Sequence, residues 1–360
     1  MKEAIKQTLI DLIRFKSTPD RPEELQACAN YIANFFEGSG LLVERFESNG
    51  VPSVIVTKGT KTPRVFLNGH FDVVPAQDSQ FEPIEKEEKL FGRGSFDMKS
   101  GNAVMMHIMR DLAKTDHDVG LMLTGDEEIG GANGVSFLLK DGYSCDVVVI
   151  PDGGESLHRV VVKEKGVLRA HLIARGTQAH ASRLWNGDNA IDRLCDALVA
   201  IRSAFMPMGD HPTNHWVTTS SLGIIKGGEA VNQVPDYAEA VCDIRYTDDD
   251  TVFKVEERIK KVLPEGIELI IDCVAQNVST DREHPLFKSF SNAVESLGLE
   301  VELTCAHGAS DGRFFAERGI PIVMNQPDGG NAHAKDEWVD LEAVELYDKI
   351  LRKYLDDVAQ

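Results

Sequence analysis

The sequence predicts an α/β fold, a mixed sheet flanked by helices, with a smaller α+β domain inserted into it. First, residues 1 to about 160 alternate apolar strand patterns with helical patterns, which is typical of a partly parallel sheet. Second, long alternating strands with two interleaved helices follow from about residue 163 and predict an antiparallel insert. Third, the first pattern returns near Gln276. We therefore expect a discontinuous main domain over 1–163 and 276–360, and an inserted domain over 164–275.

The spacing of apolar residues predicts the individual elements in chain order. In the first part of the main domain we expect helices at 1–13, 22–37, 98–113 and 135–140, and strands at 43–46, 54–56, 65–67, 119–123 and 147–150. Around and within the insert we expect strands at 160–162, 168–174, 218–222 and 238–245, and helices at 190–205 and 251–262. Beyond it we expect a helix at 285–297, strands at 301–304 and 320–324, and a helix from Leu341.

Composition excludes several classes of partner. The 360-residue chain has a formal net charge of -20, which argues against nucleic acid and against an anionic membrane surface. No apolar run approaches the roughly 18 residues of a bilayer span. The N-terminus has the pattern of an amphipathic helix rather than a secretory signal. Six scattered cysteines without a CxxC pair are typical of a reducing compartment, so we expect a cytoplasmic protein.

Residues that can bind metals recur just after apolar strands. The carboxyl ends of strands in an open α/β sheet line its ligand crevice, so these groups could converge there. Any one of the acids could equally be a helix cap or turn residue. Together, two imidazoles and several carboxylates without a thiolate suit zinc, with manganese or cobalt as substitutes. The residues after strands are His70, Asp72, Asp126, Glu127, Glu128, Asp152 and His333, and Asp97 adds a carboxylate just before a predicted helix.

Two short motifs within this set indicate specific chemistry. In an extended chain His70 and Asp72 point the same way, so the carboxylate can hold the ring while its other nitrogen binds a metal. Glu127 and Glu128 are adjacent and point apart, so one can bind metal while the other acts as a general base on water. There are enough carboxylates for one of them to bridge two metals.

The motifs resemble, in order and over nearly the whole chain, one family of dinuclear-zinc amidohydrolases and peptidases. That family comprises acetylornithine deacetylase, succinyl-diaminopimelate desuccinylase, carboxypeptidase G and aminoacylase. The resemblance implies a zinc-exopeptidase-like catalytic domain, an inserted lid and dimerisation domain, and two divalent metal ions. The matching segments are Gly69-His70-Phe71-Asp72-Val73-Val74-Pro75, Gly94-Ser95-Phe96-Asp97-Met98-Lys99, Gly125-Asp126-Glu127-Glu128 and the late His333.

The resemblance also implies a role for each residue of the metal site. His70 and Asp152 would bind one metal, and Glu128 and His333 the other. Asp97 would bridge the two metals and be followed by a cis peptide to Met98. Asp72 would orient His70. Glu127 would deprotonate the bridging water and later protonate the leaving amine.

Further motifs in and after the insert resemble substrate elements of the same family. His180, in Gly176-Thr177-Gln178-Ala179-His180-Ala181-Ser182, resembles the lid histidine that reaches across a dimer interface to stabilise the oxyanion. Asn232 and Arg245 resemble elements that bind the substrate carboxylate. Gly308 and Ser310 match a substrate-backbone loop. By composition alone, His180 would be a surface histidine and Arg245 a salt-bridged strand residue.

We expect a homodimeric enzyme that cleaves an amide bond in a small N-acyl amino acid or short peptide through a metal-bound hydroxide, with Glu127 as general base. Asp152, where other relatives carry Glu, favours a dipeptidase or aminopeptidase over a deacylase. A second alternative is a serine hydrolase, because Ser310 lies in a G-x-S-x-G pattern with Asp328 and His333 downstream, although little chain remains to complete its sheet. A third is a non-catalytic metal-binding paralogue, yet the expected base and ligands are all present.

Overall fold

The chain forms two compact units in the computed structural model, which describes residues 2–205 and 215–359. Unit 1 contains the residues up to Val162, Thr280–Cys305, and the residues from Ser310 onward. Unit 2 contains Lys163–Ser279 and Ala306–Ala309. Within the described ranges no helix combines the length and the apolar character that a membrane crossing requires.

The described residues contain nine α-helices. They are α1 Lys2–Arg14, α2 Pro22–Phe35, α3 Ser100–Asp111, α4 Val135–Lys140, α5 Ala190–Phe205, α6 Val252–Val262, α7 Pro285–Glu295, α8 Gly312–Ala316 and α9 Leu341–Val358. Helix α3 is buried on all sides from Ser100 to Met109, as expected of a helix in the centre of a core. Helix α9 begins at Asp340, whose carboxylate accepts the backbone N–H groups of Glu342 and Ala343.

The strands are β1 Leu42–Ser48, β2 Val51–Thr57, β3 Val65–His70, β4 Ile84–Lys86, β5 Lys89–Phe91, β6 Val119–Thr124, β7 Val147–Ile150, β8 Arg159–Glu164, β9 Gly166–Arg175, β10 Ala179–His180, β11 Thr219–Gly227, β12 Gln233–Val234, β13 Tyr237–Tyr246, β14 Ile267–Ala275, β15 Val278–Ser279, β16 Glu302–Ala306, β17 Ile322–Met324, β18 Gly329–Gly330 and β19 Trp338–Asp340.

A six-stranded mixed sheet organises unit 1. Its order is β1-β2-β6-β3-β7-β17. The pairs β1/β2 and β2/β6 are antiparallel, and the pairs β6/β3, β3/β7 and β7/β17 are parallel. Strands β2, β3, β6 and β7 are buried along their whole length, which explains their continuous apolar runs. The carboxyl ends of the four parallel strands therefore meet at one edge of this sheet.

A second, smaller sheet lies within unit 1 and has the order β18-β19-β5-β4. Strands β4 and β5 form a tight hairpin in which Glu87 and Glu88 both adopt positive φ, 53° and 58°. Such a turn normally contains Asn or Gly, and neither is present, so the sequence carries no turn signal for it. Strand β19 pairs with β5 and joins the segment before α9 to the segment that leads to Asp97.

Unit 2 contains an antiparallel sheet of order β11-β13-β9-β14 with helices α5 and α6. Its core consists of the inward residues of β9 and β13 packed with apolar residues of both helices. Strand β14 is absent from the predicted elements. Its inward residues are only half buried, and polar side chains interrupt its apolar pattern, so its period-2 signal is weak. Strand β11 extends to Gly227, beyond the predicted end at 222, because the strand continues past an irregularity between Leu222 and Ile224.

The predicted fold class, mixed sheets flanked by helices with an α+β insert, is confirmed by these observations. The role of unit 2 as a lid and dimerisation domain stays a prediction.

Candidate metal centre

His70 is the last residue of β3 and lies at the carboxyl edge of the parallel strands, opposite Thr124 of β6. The close packing of α3 against this strand end requires Gly69, since a Cβ there would overlap Asn102 Oδ1 and lie 2.8 Å from Met98 Cε. Asn102 donates from Nδ2 to the His70 carbonyl at 2.6 Å. The strand therefore ends in a rigid, packed setting that fixes the imidazole.

Asp97 lies between two histidines. Its Oδ1 is 3.1 Å from His70 Nε2, and its Oδ2 is 3.2 Å from His333 Nε2. The Asp97–Met98 peptide is cis, as the resemblance implies. One carboxylate thus presents its two oxygens to two different imidazoles, which is the arrangement expected of a ligand that bridges two metals.

Glu128 completes this group. Its Oε1 is 3.3 Å from His333 Nε2, and one ligand atom from each of His70, Asp97 and Glu128 lies within 4.8 Å of the other two. Ligand atoms that share a tetrahedral zinc ion at roughly 2.0–2.1 Å are about 3.3 Å apart. The observed separations of 3.1, 3.2 and 3.3 Å fit shared metal ions, and the donors are those that zinc accepts.

Asp72 is fully buried and organises two strand ends at once. Its carboxylate accepts the backbone N–H groups of Glu127 at 3.2 Å and Glu128 at 3.0 Å. The same carboxylate lies 3.5 Å from His70 Nδ1, whereas the Asp72 backbone carbonyl is closer to that nitrogen, at 3.0 Å. Residue 72 therefore holds the His70 ring mainly through its main chain, and its side chain fixes the turn that carries both glutamates.

The pKa values of this site reflect a strong excess of negative charge. Burial, together with the charges of Asp97 and Glu128, raises the pKa of Asp152 to about 7. Burial also raises the pKa of Glu127 well above its ordinary value; Asp152 adds to this rise and His70 opposes it. Hydrogen bonds to Asp97 and Glu128 raise the pKa of His333 to about 10. Divalent cations would supply the missing positive charge, which is a second reason why these residues fit a metal centre.

Asp152 follows β7 and Pro151, at the predicted strand end. Electrostatic interactions connect it to Asp97, His70 and Glu128. Among the residues that the structure describes, the group with mutually close ligand atoms comprises His70, Asp97 and Glu128 and does not include Asp152. His333 is not in that group either. The ligand roles of all the predicted residues therefore stay predictions, as does the role of Glu127 as general base.

The structure contains a buried ion pair near the candidate ligands that the sequence analysis does not predict. Arg93 and Glu337 form a 2.6 Å salt bridge, and both side chains are almost completely buried. Glu337 also accepts the backbone N–H of Asp97, while Arg93 donates to the carbonyl of His333. Arg93 precedes the quoted Gly94–Lys99 motif, but Glu337 ends the exposed polar run Asn331–Asp336, whose pattern indicates only a solvated loop.

Unit 2 holds the predicted lid histidine in a defined tautomer. His180 is exposed in β10, and its Nδ1 accepts the backbone N–H of Ser182 at 3.1 Å. Because a backbone N–H can only donate, Nδ1 carries no proton in this contact, and the neutral ring has its proton on Nε2. The backbone carbonyl of Asn232 accepts the N–H of Ala181 at 3.0 Å, so this second predicted residue lies beside His180.

The remaining predicted substrate residues have local partners. Arg245 in β13 donates to Asp243 through Nε at 2.7 Å and Nη2 at 3.3 Å, which is the contact that composition alone favours. Gly308 is exposed. Ser310 is buried, and its hydroxyl oxygen accepts the backbone N–H of Gly312 at the start of α8. Their roles toward substrate stay predictions.

The serine-hydrolase alternative needs Ser310, His333 and Asp328 to form one chain of hydrogen bonds. His333 Nε2 instead faces Asp97 and Glu128. Asp328 accepts the hydroxyl of Ser156 at 2.6 Å. In the part of the chain that the structure describes, these three residues therefore do not assemble a triad.

Known proteins resemble this chain in both sequence and structure. The model of Peptidase family M20/M25/M40 matches residues 66–357. A Mycobacterium tuberculosis protein with the provisional name succinyl-diaminopimelate desuccinylase DapE is 31% identical over 318 residues, 85% of this chain and 86% of the relative. The aminopeptidase PepT of Bacillus cereus superposes with a TM-score of 0.80 at 19% identity, covering 100% of this chain and 99% of its own.

A metallo-carboxypeptidase of the same family, Sso-CP2 of Sulfolobus solfataricus, superposes with a TM-score of 0.81 at 19% identity over 98% of both chains. At this identity the structural likeness establishes the fold, while the family match over most of the chain establishes descent. The chain therefore belongs to Peptidase family M20/M25/M40 and is a metallohydrolase that acts on amide or peptide bonds.

Proposed function

We propose that this protein hydrolyses the amide bond of a small N-acyl amino acid or short peptide at a dinuclear metal centre. The observation that carries the proposal is the position of Asp97, whose two carboxylate oxygens face His70 and His333 at 3.1 and 3.2 Å. A carboxylate between two imidazoles serves a bridged pair of metals better than a single ion.

The residues divide into two half-sites, which we name the inner and the outer half-site. His70 and Asp152 form the inner half-site, and Glu128 and His333 form the outer half-site, with Asp97 shared. When bound, two divalent cations, zinc in the first instance and manganese or cobalt as substitutes, supply Lewis acidity and lower the pKa of water. Every ligand is a nitrogen or oxygen donor, which suits these ions.

Glu127 performs the proton transfers in this proposal. It precedes Glu128 in a turn that the Asp72 carboxylate holds through both backbone N–H groups. Its carboxylate takes a proton from the attacking water and returns it to the nitrogen of the leaving amine. Burial raises the pKa of Glu127, the direction that makes its carboxylate a stronger base.

His180 stabilises the oxyanion in this proposal. With Nδ1 accepting from Ser182, the Nε2–H group is the available donor, and a fixed donor aimed at developing negative charge contributes strongly to acyl transfer. The resemblance implies that this ring comes from a second copy of the chain. Asn232, Arg245, Gly308 and Ser310 would bind the polar groups of the substrate.

The surface of unit 2 supports a second copy as partner. Strand β11 ends its sheet and has one neighbouring strand among the described residues. Leu222, Ile224 and Ile225 on this strand are about half exposed, and so is Val199 on α5. An exposed apolar edge strand is a liability unless another strand or chain covers it. Ile224→Lys should give a monomer by light scattering, with metal content unchanged and activity lost; a fully active monomer would contradict this arrangement.

The substrate class is tested by a hydrolysis screen with zinc-, manganese- and cobalt-loaded protein. N-acetyl amino acids, N-succinyl amino acids and dipeptides form the three arms. Substrates in all three arms carry a free α-carboxylate, for which Arg245 has the fork geometry, so we expect turnover in at least one arm. Asp152 favours a dipeptidase or aminopeptidase as the alternative, and activity confined to dipeptides would select it.

The screen includes two controls. Glu127→Gln should be inactive in every arm, and a serine-directed reagent should leave the wild type active. If the metal-loaded wild type hydrolyses nothing in the panel, the non-catalytic paralogue becomes the better description.

A further inference from the structure

We propose that Arg93 and Glu337 are positioning residues that tie the two half-sites together, and that Arg93 sets the metal affinity of the outer half-site. The inference rests on the proposed dinuclear function and extends it to residues that are not ligands. The observation behind it is a chain of hydrogen bonds that links the backbone of Asp97 to the backbone of His333 through the side chains of Glu337 and Arg93.

Glu337 fixes the segment that carries Asp97. Its Oε1 accepts the N–H groups of Phe96 at 3.0 Å and Asp97 at 3.1 Å, and its Oε2 accepts the N–H of Gly94 at 3.0 Å. The side chain is 1% exposed. A buried carboxylate that accepts three backbone N–H groups within four residues determines the path of that segment, and therefore where Asp97 lies.

Arg93 connects this anchor to the other side of the centre. Nη1 donates to Glu337 Oε2 at 2.6 Å, and Nη2 donates to the backbone carbonyl of His333 at 2.9 Å. One planar guanidinium thus spans the Asp97 anchor and the His333 main chain. Lysine has a single ammonium on a flexible stem and cannot reproduce this fork.

The His333 segment needs such a support. Residues 331–336 are all exposed, and the His333 side chain is 52% exposed. The backbone of His333 adopts a φ of 65°, in the left-handed region that non-glycine residues rarely occupy. The surrounding structure has to hold such a conformation. Arg93 bonds directly to the carbonyl of this residue, so it is the contact best placed to do so.

Gln80 provides a weaker tether to the same loop. Its Nε2 donates to the carbonyls of Ala334 at 3.2 Å and Lys335 at 3.3 Å, in bonds that lie at the solvent-exposed surface. It contacts neither His333 nor Glu337 in these bonds. Loss of Arg93 would therefore leave the loop attached to the domain but free to change the position of the imidazole.

The test measures zinc binding by metal-depleted protein, by competition with a chelating dye, and metal content after gel filtration. Partners that orient metal ligands typically contribute roughly 10- to 100-fold in metal affinity. Arg93→Met should retain one zinc with wild-type affinity and bind the second about 10- to 100-fold more weakly. Arg352→Met is the matched control, because Arg352 pairs with Asp348 and Asp111 in the same unit but contacts no ligand in those bonds. It should bind both metals as the wild type does.

Two further variants keep the test decisive if Arg93→Met does not fold. Arg93→Lys keeps the charge but not the fork, and should also lose affinity at the second site only. Glu337→Gln places an amide against N–H donors and should weaken both sites. Wild-type affinity for both zinc ions in Arg93→Met or in Arg93→Lys would overturn the inference. A wild type that binds fewer than two zinc ions would instead overturn the dinuclear proposal itself.

Discussion

His70 and His333 contact the same carboxylate from opposite sides but are held in opposite ways. His70 ends a fully buried strand, is 2% exposed, and has its carbonyl bonded by Asn102 of the central helix. His333 lies in an exposed loop, is 52% exposed, and has a strained backbone conformation. In the proposed centre, the His70 ligand thus belongs to the domain core, whereas His333 lies in a loop held against it.

Because of this difference, folding of the core is expected to hold one part of the centre in place, while specific hydrogen bonds hold the other. The core supplies the inner half-site through strand packing, which the hydrophobic effect stabilises. In the outer half-site, the position of His333 depends on a few directional contacts, chiefly that of Arg93, which Glu337 holds in place. We therefore expect the two half-sites to respond differently to chelation and to ligand removal.

The largest effect should come from Glu127, which serves both half-sites as base and binds neither metal in our proposal. Glu127→Gln removes the base while keeping the shape, and turnover should fall by roughly 10²- to 10⁴-fold. Metal analysis should still find two equivalents. Glu47→Gln, an exposed change on β1, is the control and should be fully active. Loss of a metal ion in Glu127→Gln would mean that residue 127 is a ligand.

Chelation should empty the half-sites in order. The outer half-site is more exposed and less rigid, so its metal should leave at an about tenfold lower chelator concentration than the inner metal. Activity should disappear with the first equivalent and return when zinc, manganese or cobalt is added. Stepwise dialysis with metal analysis and assay at each step measures this order. Simultaneous loss of both metal equivalents would show that the two half-sites do not differ in metal affinity.

Ligand removal should affect the stability of the metal-free protein unequally. His70→Ala removes one partner of the buried Asp72 carboxylate and one of the partly buried Asp97 carboxylate, and should lower the free energy of unfolding by about 1–3 kcal/mol. His333→Ala removes a half-exposed ion pair and should cost less than about 1 kcal/mol. Urea denaturation in the presence of chelator compares them. Equal losses of unfolding free energy would show that His70 and His333 contribute equally to the stability of the domain.

A further effect concerns acid, which can release metal or unfold the domain. Burial, aided by Arg110, lowers the pKa of His107 to about 4, so the folded state keeps this ring neutral. The unfolded chain takes up its proton near pH 6.5, hence this contribution to stability is complete above pH 6.5 and is lost as the pH falls toward 4. His107→Gln should show a flatter decline in unfolding free energy over that window, measured on metal-free protein. If the unfolding free energy of His107→Gln declines as steeply as that of the wild type, groups other than His107 cause the decline.

The sequence predicted the structural support of His70 more completely than that of His333, for a physical reason. Buried strands produce continuous apolar runs, and a ligand directly after such a run is located by the sheet itself, as His70 is. The buried position of Glu337 depends on the pairing of β19 with β5, two three-residue strands that lie far apart in the chain. Strand β5 itself follows β4 through a turn without a glycine or asparagine signal. Contacts made by such distant, short elements leave no periodic pattern in the chain.

In unit 2, the second half of β11 and the whole of β14 were not predicted, for a similar reason. An irregularity in β11 after Leu222 hides the second half of the strand, where Ile224 and Ile225 face solvent. Strand β14 alternates half-buried and exposed residues and therefore resembles a loop. Motif resemblance predicted the chemistry, whereas these edges depend on tertiary pairing.

Anomalous X-ray diffraction from crystals of the zinc-loaded protein, recorded at the zinc edge, tests the central claim most directly. We expect two peaks roughly 3.5–4 Å apart on either side of the Asp97 carboxylate. One should lie beside His70, and the other beside Glu128 and His333. A single peak, or two peaks that do not share Asp97, would contradict it.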